Sequence, residues 1–527
     1  MKNWCKRQSS IKPSSLVRAY GFAFIISLVA PTLASAHSAM FPDNFKYDDS
    51  NEGLKTSSKA LVGKQSVRVV RPCVDGLAGD YPCRNIDMQA MMSVADLGGN
   101  ASQLNDIWGW TDLLTGNEIA IVGRTNGTSF VDITDSTAPV LLGFLPSHGG
   151  GDDAWRDIKV FQDHAFIVAD GRNNSSHGLQ VFDLTQLANV TPGATLTETA
   201  HLGGFGSAHN IAINEDSGFA YVTGGDAQCS GGLYMIDISS PLNPAFAGCF
   251  SADGYTHDVQ CVIYQGPDTA RFGREICTAY NEDTVTIVDV TDKTNPQQLS
   301  RTNYPGVRYT HQGWFMDENH TYLLLNDELD ETGTNVNTTT HIFDVSSLVA
   351  PTVLGRYVGP TTAIDHNLYT NNGLVYESNY RAGLRILDGA GVASATLEER
   401  AFFDTIPCSN SPQFSGVWSS YIYFASGNIV VSDIATGLFV LRPNDADIAS
   451  NANDTPVAIS PACATTTQPP PAPTDPPPAD PTQGQPDNIA SQSGGGGGLA
   501  SIWMLVMGLL MTFGRHRFHL LVVANHQ

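Results

Sequence analysis

Short runs in which apolar and β-branched residues alternate with polar ones recur along the chain at a nearly constant interval. The clearest are Leu233-Tyr234-Met235-Ile236-Asp237-Ile238, Val285-Thr286-Ile287-Val288-Asp289-Val290, His341-Ile342-Phe343-Asp344-Val345 and Leu384-Arg385-Ile386-Leu387-Asp388. Each follows a motif with a polar head and an apolar tail: Ala208-His209-Asn210-Ile211, Thr256-His257-Asp258-Val259, Thr310-His311-Gln312-Gly313 and Asp365-His366-Asn367-Leu368. Three further copies replace the histidine, with Asn105, Arg156 and Ser415 at its position. Positions 105, 156, 209, 257, 311, 366 and 415 are 48 to 55 residues apart. A period near fifty built of short β-branched runs is the signature of a β-propeller blade, so the seven copies predict an all-β, seven-bladed β-propeller.

Each copy divides into four strands. In the third they fall at 210–214, 219–223, 233–238 and 245–250, with Glu215-Asp216-Ser217-Gly218 as the first turn. The aspartates that end the third strands (Asp132, Asp183, Asp237, Asp289, Asp344, Asp388) read as turn formers, because a short carboxylate bonds the backbone two residues on. The seventh copy ends near Arg442 without an evident fourth strand. The run 88–97 resembles a fourth strand, so it is expected to lie beside 438–441 and close the ring, removing two exposed sheet edges. The domain plan is 1–36 signal peptide, 37–86 irregular, 87–445 propeller, 446–498 linker and 499–527 sorting segment.

The ends of the chain are addresses. Lys2, Lys6, Arg7, Lys12 and Arg18 precede the apolar run 21–30 and the small residues Ala34-Ser35-Ala36, the build of an export signal. Residues 465–488 are rich in Pro and Thr and read as a disordered, extended spacer. Gly494 to Gly498, the apolar run 499–513 (a short transmembrane helix) and Arg515-His516-Arg517 follow. The net charge of −24 argues against nucleic acid and anionic lipid as partners and for cation attraction. Eight cysteines remain after the leader, an even number that suggests disulfides in an exported chain. The expected pairs are Cys73–Cys83, Cys261–Cys277, Cys229–Cys249 and Cys408–Cys463, although spacing alone does not fix connectivity.

The repeat Gly-Leu-x-Ile-x-Asp, as in Gly178-Leu179-Gln180-Val181-Phe182-Asp183, resembles the LVIVD repeat. Together with Tyr81-Pro82-Cys83-Arg84-Asn85, Trp108-Gly109-Trp110, Trp155-Arg156-Asp157-Ile158 and Tyr255-Thr256-His257-Asp258, it resembles the choice-of-anchor B family over about residues 70–445. The resemblance implies an exported bacterial propeller with one of several C-terminal anchors, and it implies no chemistry. The glycine hinge, apolar helix and basic stop resemble the GlyGly-CTERM sorting signal. That likeness implies a Gram-negative source and surface or extracellular location, with a transient membrane segment. The partners it implies are a rhomboid-type sorting protease and the type II secretion machinery.

Chemistry is sought where the first strands begin, because these line the channel of a propeller. His209, His257, His311 and His366 would converge at one mouth, joined by acids of the second-to-third-strand loops: Asp170, Asp226, Glu282, Asp283, Asp327, Glu328, Asp330 and Glu377. Imidazole and carboxylate together suit a divalent ion: Zn, Mn, Fe or Ca. Arg156 at the same mouth would hold a carboxylate or phosphate. The structural alternative is that a histidine duplicated with its repeat merely bonds the next blade's backbone. The favoured function is a ligand- or partner-binding propeller with a metal at the His ring; the competing class is a metal-dependent hydrolase or lactonase. No GxSxG or phosphate-binding glycine loop occurs.

Overall fold

The computed structural model describes residues 67–443, apart from 171–175, 226–228 and 335. The leader, the linker, the C-terminal segment, Cys463 and Asp226 lie outside the described residues. No helix among those described is long and apolar enough to cross a membrane.

Seven sheets, antiparallel except where Ala194–Thr195 runs parallel along the edge strand Val140–Pro146, stand around one axis. Their first strands are Leu104–Thr111, Trp155–Phe161, Asn210–Asn214, Asp258–Ile263, Thr310–Phe315, Asn367–Asn371 and Val417–Tyr421. Each first strand touches the next, and the seventh touches the first, so the ring is closed. The apolar residues of neighbouring blades meet in between. Tyr221, Leu233 and Met235 of blade 3, for example, form one core with Val259, Cys277 and Val288 of blade 4. Alternate residues of each strand serve one interface or the other, which is why both faces of a blade are apolar.

The closing strand is Ile86–Ser93, which pairs with Gly437–Pro443 in the register Met88↔Leu441 and Met92↔Leu438. It stops at Ser93, which caps a short 3₁₀ helix, Val94–Leu97, leading into blade 1. The segment ahead of it is more ordered than its polarity suggests. Tyr81–Arg84 adds to the outer edge of blade 6 (Cys83↔Phe403), and Leu77–Ala78 pairs outside that. Burial explains it: Tyr81 packs on Phe403 and Phe439 with ring centroids 5.5 and 5.4 Å apart.

Disulfides join Cys73–Cys83, Cys229–Cys249 and Cys261–Cys277. The last links residues directly opposite on adjacent strands. Cys408 is also disulfide-bonded. All six third-strand aspartates accept the N–H two residues on, Asp132 from Thr134 (2.9 Å) and Asp237 from Ser239 (2.9 Å) among them.

Candidate functional site: a His–Glu cluster at the channel mouth

The four imidazoles do gather. Ring centroids of His209 and His257 are 4.4 Å apart, those of His257 and His311 4.2 Å, and those of His311 and His366 4.5 Å. All four rings are buried, with Trp155, Tyr380, Phe414 and Trp418 walling a cavity of about 60 Å³. A water occupies roughly 30 Å³ of liquid, so this space suits an ion and a water or the tip of a larger ligand.

Each end of these rings has a separate task. His257 Nδ1 donates to the His311 carbonyl (3.1 Å) and His366 Nδ1 to the Trp418 carbonyl (2.6 Å), in each case clasping the following blade. A carbonyl can only accept, so Nδ1 carries the hydrogen and a neutral ring keeps its lone pair on Nε2. His209 Nδ1 meets the Asp170 carboxylate at 3.0 Å. Carbonyl or carboxylate support of Nδ1 is the usual outer shell of a metal-ligating histidine. The structural and ligating readings therefore apply to different nitrogens of the same ring.

Glu328 completes the cluster. It lies on the loop between the second and third strands of blade 5 and inserts between His311 and His366. Its oxygens stand 3.6 Å from His311 Nε2 and 3.7 Å from His366 Nε2. The ligand atoms of His311, Glu328 and His366 lie within 4.8 Å of one another, and no other His, Cys, Asp or Glu group of three or more among the described residues meets that spacing. Burial pushes the Glu328 carboxyl up to about 8, against the Tyr380 hydroxyl, which donates to it at 2.8 Å. Burial likewise pulls His366 down to about 3, so its ring is neutral and available as a ligand. Tyr380 makes its bond from a left-handed backbone (φ 34°), an uncommon state for a bulky residue.

Arg156 is placed differently from its expected role. Its guanidinium is buried within blade 2, donating to the Arg124 carbonyl (3.0 Å) and the Ser147 hydroxyl, beside Asp153 (3.5 Å) and His177 (2.9 Å). It does not line the imidazole cavity. A guanidinium fork reaches past the mouth to these four partners, where an imidazole of the same register stops short. Asp327 is similarly engaged, accepting from the N–H groups of Arg308 (2.7 Å) and Tyr309 (2.6 Å).

The residues after each ring position line the channel proper, which widens at the other ends of the first strands into a cavity of about 580 Å³. Lys159 crosses it, 2.5 Å from Asp157, 3.4 Å from Asp106 and 4.5 Å above the Trp108 ring. Asp258 faces the same space, and burial beside Asp157 raises its carboxyl to about 7.

The ring of seven four-stranded units defines the class: a seven-bladed β-propeller. A family model described as the LVIVD repeat matches residues 205–251, which is blade 3 and its entry loop. No curated protein matches the chain in sequence. Among solved structures it is similar to a protein from Lactobacillus plantarum (14% identity, 62% of this chain and 88% of that one, TM-score 0.42). It is also similar to hydrazine synthase from Kuenenia stuttgartiensis (12%, 62% and 92%, 0.43). The β-propeller domain of Cps50 (Swd1) from Myceliophteria thermophila gives 10%, 65% and 96%, with a TM-score of 0.43.

Proposed function

We propose that this is an exported, surface-sorted propeller that binds a ligand or partner through a divalent transition metal at its His-lined mouth. His311, Glu328 and His366 are the ligands, with His257 and His209 flanking them. The observation that carries the reading is the convergence of these three side chains, two imidazoles and one carboxylate, into one buried cluster. Oxygen and nitrogen donors in this mix favour Zn²⁺, Mn²⁺ or Fe²⁺. When bound, such a metal supplies a Lewis-acidic position for a ligand oxygen. Tyr380 and Trp418 hold the Glu328 carboxylate and the His366 ring in place, and the aromatic walls keep water from competing.

Export is supported by the leader, the acidic charge and the disulfides. Surface sorting is supported by the likeness of the tail to GlyGly-CTERM signals, with a rhomboid-type protease and type II secretion as partners.

Three protein ligands, two His and one Glu, leave a coordination position open, which favours a second reading as a hydrolase. The two readings part on one measurement. Zn²⁺-loaded protein that hydrolyses aryl esters or lactones, with loss in His311→Ala, is an enzyme; metal-dependent binding without turnover is a receptor. Metal content and Zn²⁺ affinity of wild type against a His311→Ala, His366→Ala variant test both. A loss of about 100-fold or more is expected, and unchanged affinity removes the site.

A further inference from the structure

The wide end of the channel is a cavity of about 580 Å³ that the metal cluster does not use. A space of this size is usual for a small-molecule site. Its wall has two halves. Blades 5, 6, 7 and 1 supply a continuous arc of rings. Trp314 meets Tyr369 edge-on at 5.0 Å, Tyr369 meets Trp108 at 5.7 Å, Trp108 meets Tyr421 at 5.2 Å, and Tyr421 meets Tyr423 at 5.4 Å. Such edge-to-face contacts fix the rings relative to one another. Trp314, Trp108 and Tyr421 are only half-buried, so part of each is left on the cavity. Gly109 makes the arc possible, because a Cβ there would collide with the Tyr421 ring. Blades 2, 3 and 4 supply the other half, with Lys159, Ala212 and Gln260.

Most polar groups along this wall are used to hold the blades together. Gln312 exchanges hydrogen bonds with the Leu368 backbone at 3.0 and 2.9 Å, and Asn210 donates to the His257 carbonyl at 3.1 Å. Three groups are left over. The Asn367 side-chain amide, 8% exposed, has no hydrogen bond among the described residues. Gln260 accepts the Phe315 N–H on its oxygen at 2.8 Å and leaves its NH₂ group without an acceptor. Asp258 accepts the Val259 N–H on one oxygen at 2.6 Å and leaves the other without a donor. Native folds rarely leave buried amides unmatched. In ring order, Asp258 and Gln260 of blade 4 and Asn367 of blade 6 flank Trp314 of blade 5.

We propose that the wide end of the channel binds a neutral carbohydrate, with a sugar ring against Trp314 and its hydroxyls bonded to Asp258, Gln260 and Asn367. The class follows from the unmatched groups. A sugar hydroxyl both donates and accepts, and the free set offers a carboxylate acceptor, an NH₂ donor and an amide with both functions. An ammonium only donates and would leave the Gln260 NH₂ bare. An anion is disfavoured as well. Lys159, the one Lys or Arg of this wall, is held by Asp157 and Asp106, while Glu215, Asp216 and Glu318 stand exposed at the rim. The apolar C–H face of a sugar covers the aromatic arc.

The test is a glycan array of neutral, sulfated and sialylated oligosaccharides probed with the whole protein, followed by calorimetry on the strongest neutral hit. Neutral glycans are expected to bind with a Kd below about 1 mM. Sulfated and sialylated ones should not bind, and EDTA treatment should leave the affinity unchanged. Asn367→Ala, which removes no hydrogen bond within the chain, and Trp314→Phe should each weaken binding about tenfold. Should a variant fail to fold, the bound glycan must protect Trp314 and Trp108 of the wild type from N-bromosuccinimide, as read by peptide mass. Absence of neutral glycan binding, wild-type affinity in both folded variants, or lack of that protection overturns the proposal. So does tighter binding of 2-phenylethylamine than of any sugar. Loss of binding with EDTA also overturns it, by placing the sugar at the metal cluster.

Discussion

The Nε2 of His366 stands 3.7 Å from Oε1 of Glu328, beyond hydrogen-bond reach. It is close to the separation of two ligands on one tetrahedral cation, roughly 3.4 Å for bonds of about 2.1 Å. His311 repeats the relationship from the other side at 3.6 Å. Three groups of low mutual attraction are thus held at ligand spacing by bonds made elsewhere.

Proton release should accompany metal uptake. With its carboxyl at about 8, free Glu328 is largely protonated at pH 6 and must lose that proton to ligate. His366, at about 3, is already neutral and adds no slope. Zn²⁺ affinity should therefore rise about tenfold per pH unit from 6 to 8 and flatten above. A flat profile in calorimetry would show that Glu328 does not ligate.

Tyr380→Phe removes the hydroxyl that donates to Glu328 at 2.8 Å and leaves the ring in place. The carboxylate then loses the hydroxyl donor. Metal affinity should fall about tenfold, within the range for an outer-shell partner. Competition titration against a chelating dye measures it, and an unchanged constant would make the bond incidental.

Asp258 offers a stability test at the wide end of the channel. Its folded value of about 7 exceeds the unfolded one, so its protonated form favours folding and that contribution is lost as pH rises through 7. Asp258→Asn should melt higher than wild type at pH 8, by on the order of 1–2 kcal/mol, and equally at pH 4. Equal melting at both would mean that water reaches the carboxylate freely.

The Cys261–Cys277 bridge closes a separation of 16 residues. Replacing both by Ser should cost about 2–4 kcal/mol in chemical denaturation. A loss under about 0.5 kcal/mol would show that the strand pairing alone suffices.

The ring of blades is legible in the sequence because a duplicated unit carries its register with it. The histidine position in particular marks the first strand of each blade. Glu328 is less visible. It stands in an acidic stretch, Asn326-Asp327-Glu328-Leu329-Asp330, where one carboxylate is capped by backbone, the next enters the mouth and the last is half-buried. What marks Glu328 out is the approach of blade 6, whose His366 and Tyr380 lie 38 and 52 residues further along the chain. Arg156 shares the histidine register but not its reach. Tyr81–Arg84 looked irregular because Pro82 and the cysteine break the alternation, while burial against blade 6 makes it a strand.

Blade 7 joins an early strand to the latest. Ile86–Ser93 leaves any biosynthetic or translocation pore early, yet its partner Gly437–Pro443 emerges some 350 residues later. In the interval an apolar strand has no mate, and the six intermediate blades can assemble but cannot lock. A chain of this design must therefore be shielded until its final repeat is delivered. Truncation anywhere before the final repeat leaves an open, adhesive arc rather than a smaller stable protein.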